Sequence, residues 1–506
     1  MLVNIKIKRD EYFEEYEVPE NITVLDALNY INKTYNKNIQ FRASCRAGQC
    51  GSCAMTIDNE PKLACKTKVK EGMKIEPLKE FNVIKDLIVD RSSYYKKLHN
   101  LRNYLQQDEE DEETKITPDD IKDLKNIRGC IDCLSCLSIC PARKFSDYPG
   151  PTLIRQLARF AFDPRDRGER EKEAYFENIY NCTTCGKCVE VCPNEIDIVH
   201  IAVEKFRSQL FKKGLYLKNH LIVRENVLKG NRSVVKEKTP LLEDETIKNE
   251  YIVENEKMRV AFFTGCLVDY RLQDVGKSAI KVLNAHGVSV IIPKNQVCCG
   301  SPFLRTGQKD VADKLKKHNL DIFNNLNVDA VVTICAGCGS TLKNDYSKKE
   351  FKVMDITEVL NAVGFIKYNP LDIKITYHDP CHLKRGQKIY EEPRNILKNI
   401  PNLKFIEMEI PDQCCGAGGG VRSGKPEVSS AIGKRKAKMI YNTDADYVIT
   451  VCPFCEYHIR DSLEKFKDEN NIKKDIQVMN IVSLLDNAIM GKNEKEKNTK
   501  NKRIRE

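Results

Sequence analysis

Several features are missing from this 506-residue chain, and each absence narrows its role. No apolar run approaches the roughly 18 residues that a membrane-spanning helix needs. The first residues, MLVNIKIKRDEYFEE, carry no apolar signal-peptide core. The expectation is a cytoplasmic protein that meets a membrane only through a partner or a surface patch. No G-x-G-x-x-G follows the first strand-like run, so no dinucleotide-type FAD site is expected here. The basic residues do not gather beside base-stacking aromatics, which argues against nucleic acid. The formal charge of +10 does not revive that idea. It counts every cysteine as neutral, whereas a four-thiolate iron–sulfur cubane carries about −2 when oxidised.

What the chain has in excess is cysteine, with 22 residues. In a reducing compartment, short regular cysteine spacings mean metal rather than disulfides. The first group is Cys45, Cys50, Cys53 and, after a short gap, Cys65. C-x4-C-x2-C with a fourth cysteine is the plant-type [2Fe–2S] spacing, and zinc fits the longer loop less well. Gly48 and Gly51 let the loop bring its amides close to the sulfurs. Ahead of it, LVNIKIK and YFEEYEV read as strands joined by a charged turn. TVLDALNYINKTY reads as a helix capped by Asn21 or Thr23.

The second group is two C-x2-C-x2-C-x3-C-P runs: Cys130, Cys133, Cys136, Cys140 and Cys182, Cys185, Cys188, Cys192. In two-cluster ferredoxins the fourth cysteine of each run serves the other cluster. One cubane is therefore assigned Cys130, Cys133, Cys136 and Cys192, and the other Cys182, Cys185, Cys188 and Cys140. The intervening LIRQLARFAF reads as helix. The acidic run Asp108 to Glu113 is expected to be a solvated connector.

The third group organises the rest. Cys266, Cys298, Cys299, Cys335 and Cys338 read C-x31-CC-x35-C-x2-C, and Cys381, Cys414, Cys415, Cys452 and Cys455 read C-x32-CC-x36-C-x2-C. Matching positions are offset by 115, 116 and 117 residues, which marks an internal duplication. Each half also alternates short buried strands with amphipathic helices: RVAFF, VSVII, AVVTI and FKVMDI, then IKITYH, LKFIEM, YVITV and IQVMN. Four of the cysteine positions follow strands, and open α/β sheets form their sites at strand carboxyl ends. Each half is thus expected to converge five thiolates, one more than a cubane or zinc requires. These ten cysteines are the expected catalytic residues. His378 and His382 flank Cys381 and could relay protons, or simply support the site. Arg422, Lys384 and Arg385 could hold anionic groups, or lie solvated at the surface. The glycines of GAGGG, 416–420, are read as a loop that lets backbone approach a cluster. His286 and His318 are read as structural.

CRAGQCGSCAM, LACKT and NVIKDLIVD, with the short gap to Cys65, resemble the iron–sulfur subunits of succinate dehydrogenases and fumarate reductases over residues 1–200. This implies a β-grasp ferredoxin domain whose [2Fe–2S] cluster faces a flavoprotein. The chain departs from that family at Cys185, where the family holds a three-iron cluster; a fourth thiolate predicts a full [4Fe–4S] cubane and puts transfer of the family's quinone site in doubt. The duplicated cysteine sets resemble the CCG domain of heterodisulfide reductases. That resemblance implies two non-cubane [4Fe–4S] clusters, between which the disulfide of coenzyme M and coenzyme B is handled. The module order resembles the iron–sulfur subunits of the thiol:fumarate reductases of methanogenic archaea. It implies oxidation of coenzyme M and coenzyme B thiols here, with electrons passing to FAD on a separate flavoprotein that reduces fumarate to succinate. Two alternatives stand beside it: a membrane-associated succinate dehydrogenase subunit passing electrons to quinone, and a non-catalytic electron carrier.

The expected fold class is multidomain α+β. Residues 1–95 form a [2Fe–2S] β-grasp ferredoxin domain, 96–215 an α-helical ferredoxin with two [4Fe–4S] cubanes, and 216–258 a linker. Residues 259–370 and 371–490 are the two α/β CCG repeats, and 491–506 a disordered basic tail.

Overall fold

A computed structural model describes residues 1–107 and 114–491; the acidic run Asp108–Glu113 and the basic tail beyond Gly491 lie outside the described residues. The chain divides into two compact units, Met1–Leu215 and the remainder from Tyr216.

The first unit opens on a hairpin of β1 (Leu2–Arg9) and β2 (Tyr12–Pro19), paired antiparallel from Leu2↔Pro19 to Arg9↔Tyr12. Alternation puts Ile5, Ile7, Tyr16 and Val18 on the buried face. The helix Val24–Thr34 covers that face with Val24, Leu25, Ala27, Leu28 and Ile31. Thr23 caps it, its hydroxyl accepting from the Asp26 amide at 3.1 Å. With β3 (Ala54–Ile57), β4 (Glu60–Leu63) and β5 (Met73–Glu76) the sheet order is β2-β1-β5-β3-β4, and β1 and β5 run parallel. This is the β-grasp arrangement. A ribbon of β6 (Val83–Lys85) and β7 (Ile88–Val89) follows, and then helices, among them Pro118–Arg128 and Pro151–Ala161.

The second unit contains two sheets of one design. In the first half, β8 (Glu250–Tyr251), β9 (Met258–Phe263), β10 (Val288–Ile291), β11 (Ala330–Thr333) and β12 (Val353–Asp355) lie in the order β12-β11-β9-β10-β8. The edge strand β8 runs antiparallel to β10, and the other pairs are parallel. In the second half, β13 (Lys374–Tyr377), β14 (Lys404–Phe405), β15 (Tyr447–Thr450) and β16 (Gln477–Asn480) lie in the order β14-β13-β15-β16, all parallel. Apart from β8, the two orders are the same topology. In each, the strand order reverses direction between the first and third strands, the switch point where doubly wound sheets open a crevice. One core joins the halves: the helices Gln273–Ala285 and Ile481–Met490 bury Ala279, Val282, Leu283, Leu484 and Leu485, and Ser278 donates to Asp486 at 2.8 Å.

The stretch 216–258, expected as a linker, is built into this unit. The helix Lys218–Gly230 buries His220 and Val227. It touches both halves: Asn219 donates to the Ser423 carbonyl at 2.9 Å, and Arg224 pairs with Asp310. Leu241, Leu242 and Ile247 enter the core, and β8 extends the first sheet. The charged composition hid these few apolar anchors.

Candidate metal centres

In the first unit, the loop Cys45–Cys53 folds around its first sulfur: the Ala47 and Gln49 amides donate to Cys45 Sγ at 3.4 and 3.3 Å. Ser52, with the Cys45 backbone, draws the Cys50 thiol down to about 6, while burial pushes Cys53 up to about 11. Gly51 lies against the next site. A β-carbon there would stand 2.4 Å from the Ile131 carbonyl oxygen and 2.8 Å from Cys133 backbone atoms.

Cys130, Cys133, Cys136 and Cys192 line one small cavity with Thr152 and Pro193. Cys140, Cys182, Cys185 and Cys188 form a second group whose sulfurs act electrostatically on one another. The loops curl around these places by left-handed residues in corresponding positions: Asp132 and Leu134 in the first run, Thr184 and Gly186 in the second. A left-handed non-glycine residue costs about 1 kcal/mol or more, and such strain gathers at functional sites. Burial pushes the Cys136 and Cys188 thiols well above their usual range, so they give up a proton only when a cation takes its place. The residues thus fit cationic iron clusters. Two buried guanidiniums add positive charge. Arg207 donates to the Ile179 and Cys182 carbonyls at 2.7 and 2.8 Å, and Arg155 stands 3.8 Å from Asp132. Neither arginine stands out in the sequence, because a lone arginine in a helix reads as surface.

The fourth thiolate at Cys185 leads to a direct expectation. Anaerobically prepared protein should show two cubane signals by EPR and no stoichiometric three-iron signal, and Cys185→Ile should convert one cubane to a three-iron centre. A full three-iron signal in the unaltered protein would mean that Cys185 is not a ligand.

In the second unit, Cys266 and Cys335 follow β9 and β11, the strands that flank the first switch point, and Cys381 and Cys452 follow β13 and β15, which flank the second. The paired cysteines arrive from the loops after β10 and β14. The sulfurs form an unbroken line: Cys266 beside Cys298, then Cys299, Cys338 and Cys335, then across to Cys452, Cys455 and Cys415. Cys415 and Cys455 lie 3.8 Å apart. Adjacent thiols share protons unevenly: the Cys298 and Cys338 thiols draw Cys299 down to about 6, whereas Cys298 is pushed up to about 12. The Cys335–Cys452 step joins the halves. It depends on close crossing of the helices Ala336–Asn344 and Cys381–Gln387, where a β-carbon on Gly339 would meet the Gln387 amide at 2.6 Å. Gln387 donates to the Ala336 carbonyl at 3.1 Å, and Asn344 to the Gly386 carbonyl at 2.8 Å.

These sulfurs line one cavity of about 380 Å³, together with Cys381, His382, Leu267, Phe454, Tyr457 and the glycines 418–420. Cys414 is buried beside it, its sulfur accepting from the Gly416 amide at 3.4 Å. The GAGGG run therefore serves both as cavity wall and as support for a sulfur. Arg232, buried behind Cys266, pairs with Asp269 at 2.6 Å, and the neighbouring Ser233 amide donates to Cys266 Sγ at 3.4 Å. A cavity walled by so many thiols, with amides aimed at sulfur and a buried cation behind, fits iron–sulfur groups.

The histidines separate. His382 lines the cavity, with Nδ1 3.5 Å from Cys381 Sγ, while His378 lies deeper. Lys384 and Arg385 do not line the cavity, and both contact the buried Asp412 carboxylate at 2.8 Å. With Lys436, which donates to the Ile410 and Pro411 carbonyls, they fix the loop that presents Cys414 and Cys415. Burial draws the Lys436 ammonium down to about 8. The cations on the cavity wall are Arg271, Arg305 and Arg422. Arg271 donates to the Tyr457 hydroxyl at 3.0 Å. Arg305 pairs with Asp345, and Arg422 with Asp461. His286, bonded to Tyr368 at 2.8 Å and to the Val282 carbonyl, is a core residue, and His318 donates to the Asn295 carbonyl.

Comparison with known proteins gives the same modules. The 2Fe-2S iron-sulfur cluster binding domain matches residues 3–96, the 4Fe-4S dicluster domain 126–196, and the cysteine-rich domain 260–343 and 375–460. An iron–sulfur protein of Methanococcus maripaludis is 72% identical, covering 96% of this chain and 99% of that one. One of the fumarate reductase (CoM/CoB) subunits of Methanothermobacter marburgensis is 46% identical, again covering 96% of this chain and 99% of that one. The chain belongs to the family of that fumarate reductase (CoM/CoB) subunit. One of the subunits of the dihydromethanophenazine:CoB–CoM heterodisulfide reductase of Methanosarcina acetivorans is 32% identical over 65% of this chain and 82% of its own length. A hypothetical protein from Helicobacter pylori shares the fold, with a TM-score of 0.65, 15% identity and 98% of this chain covered. As a member of the fumarate reductase (CoM/CoB) family the chain is an iron–sulfur electron-transfer subunit of an oxidoreductase, with [2Fe–2S] and [4Fe–4S] cluster domains and a duplicated cysteine-rich domain. Among the described residues no helix is long and apolar enough to cross a membrane.

Proposed function

We propose that this protein oxidises the thiols of coenzyme M and coenzyme B to their mixed disulfide in the cysteine-walled cavity, and delivers the electrons to a flavoprotein partner that reduces fumarate to succinate. The balance is two thiols giving one disulfide, two electrons and two protons, and fumarate taking up two electrons and two protons. The observation that carries the reading is the single cavity lined by sulfurs of both repeats. A substrate held there faces both cysteine sets at once. Bound iron–sulfur clusters would supply the one-electron acceptors.

The chain's own residues bind, orient and take protons. Leu267, Phe454 and Val234 give the cavity apolar walls that exclude water. Arg271, Arg305 and Arg422 supply positive charge for the sulfonate and phosphate ends of the coenzymes. His382, on the cavity wall beside Cys381, is placed to accept a thiol proton. The cysteines of the duplicated sets are the proposed ligands there. Cys45, Cys50, Cys53 and Cys65 are the proposed ligands of the [2Fe–2S] cluster, and the two crossed sets of four those of the cubanes.

The division of labour is tested on the purified chain and on the complex rebuilt with its flavoprotein. The chain alone should contain no FAD and should not reduce fumarate from a dye donor. Adding the flavoprotein should give both dye-linked and thiol-linked fumarate reduction. Flavin bound to the single chain, or fumarate reduction by it, would refute the scheme.

A further inference from the structure

The duplication is broken at a buried position beside the second cysteine set. His378 follows β13 directly, and its amide donates to the Ile449 carbonyl at 2.9 Å, which fixes the residue against the neighbouring strand. The side chain is 1% exposed, and among the described residues neither ring nitrogen has a nitrogen or oxygen partner, its one polar neighbour by hydrogen bonding being the Cys415 sulfur. An imidazole must carry a donor on one nitrogen and an acceptor on the other, or donors on both, and buried groups of this kind are almost always satisfied. Here the groups within reach are sulfurs: a ring nitrogen, Cys415 Sγ and Cys455 Sγ all lie within 4.8 Å of one another. The offset of 115 that carries Cys266 onto Cys381 carries Phe263 onto His378. Phe263 is fully buried and packs on Phe323 at 5.8 Å between ring centroids, and its phenyl ring offers no ligand atom.

We propose that His378 is a nitrogen ligand to iron at the second cysteine set, a ligand the first set lacks. The proposal rests on the reading that this set holds an iron–sulfur cluster. Three buried donor atoms of two chemical types converge there, and imidazole and thiolate both suit iron. Iron bound there takes up a ring nitrogen whose polar surroundings are the sulfurs themselves. The two repeats then hold inequivalent centres. An added nitrogen donor changes the electron density on that iron, so the two centres have different reduction potentials. That inequivalence gives a pair of nearly identical folds a direction.

The test is pulsed EPR on the full chain prepared anaerobically with ¹⁵N-histidine, poised so that the cysteine-rich half is paramagnetic. The expected result is the strong nitrogen coupling of an iron-bound imidazole, present in unaltered protein and lost in His378→Phe, which copies the first repeat. Redox titration should show two separate midpoints for that half, converging in the variant. A His382→Asn/His458→Asn double variant removes the other imidazoles near the second set and should keep the coupling; it assigns the signal even if His378→Phe does not fold. A cluster signal with only weak nitrogen coupling, or with strong coupling that survives His378→Phe, overturns the ligand assignment and leaves the cluster reading standing. Iron analysis showing no cluster in the cysteine-rich half overturns both.

Discussion

Cys299→Ala alone, or Cys415→Ala alone, is expected to abolish thiol oxidation in the rebuilt complex, by on the order of 10³-fold, and the double variant should be no worse. Joining two different thiols releases two electrons together, whereas an iron–sulfur centre takes one at a time. Two centres facing one substrate resolve that mismatch only if both are present. The structure supports acting as a unit: Cys299 and Cys415 stand in one continuous line of sulfurs that crosses from the first repeat to the second at Cys335 and Cys452. Dye-dependent fumarate reduction should stay near its original rate, because the flavoprotein is untouched. A single variant shown to lack its own centre, yet still oxidising thiols, would remove the paired mechanism and favour a simple electron carrier.

Spacing made much of this site readable. The matched cysteine sets, with a near-constant offset and the same strand sequence, pointed to strand ends, and in the fold those cysteines follow the strands that flank the two switch points. What spacing cannot show is which distant residues meet. The contact of Cys335 with Cys452 depends on the tight crossing at Gly339 and Gly386, far apart in sequence and carrying no ligand pattern. Lys384 and Arg385 read as solvated or anion-holding cations, and neither reading found Asp412, their partner 28 and 27 positions away. Leu241, Leu242 and Ile247 were lost in a charged stretch, yet three apolar side chains suffice to bind it to the core. His378 was visible as a histidine near a cysteine. Its difference from the first repeat appears only when Phe263 is set beside it, and its place among the sulfurs only in the fold.

Gly51→Ala should damage the first unit far more than an alanine at a glycine usually does, and Gly72→Ala supplies the control. Both residues are left-handed, with φ of +67° and +72°. Any L-residue there carries a backbone penalty of about 1 kcal/mol. Around Gly72 a new methyl would meet none of the described residues within 4 Å, so Gly72→Ala should lose little beyond that penalty. At Gly51 a new methyl would lie 2.4 Å from the Ile131 carbonyl oxygen and 2.8 Å from the backbone of Cys133. Those atoms belong to the loop of Cys130–Cys136, proposed to hold a cluster and itself held by left-handed Asp132 and by the Tyr94 hydroxyl donating to Asp132 at 2.8 Å, so they cannot yield as the end of a flexible side chain would. Overpacking against rigid structure adds roughly 1–3 kcal/mol, and with the backbone penalty the loss should reach about 3 kcal/mol. The same contact sets the distance between the Cys50–Cys53 loop and the Cys130–Cys136 loop, so the functional loss should exceed the loss of stability. Anaerobic thermal unfolding of the two variants, with EPR of the reduced protein to follow magnetic interaction between the [2Fe–2S] centre and its neighbour, measures both. Equal melting temperatures for Gly51→Ala and Gly72→Ala would mean that the two loops do not bear on each other.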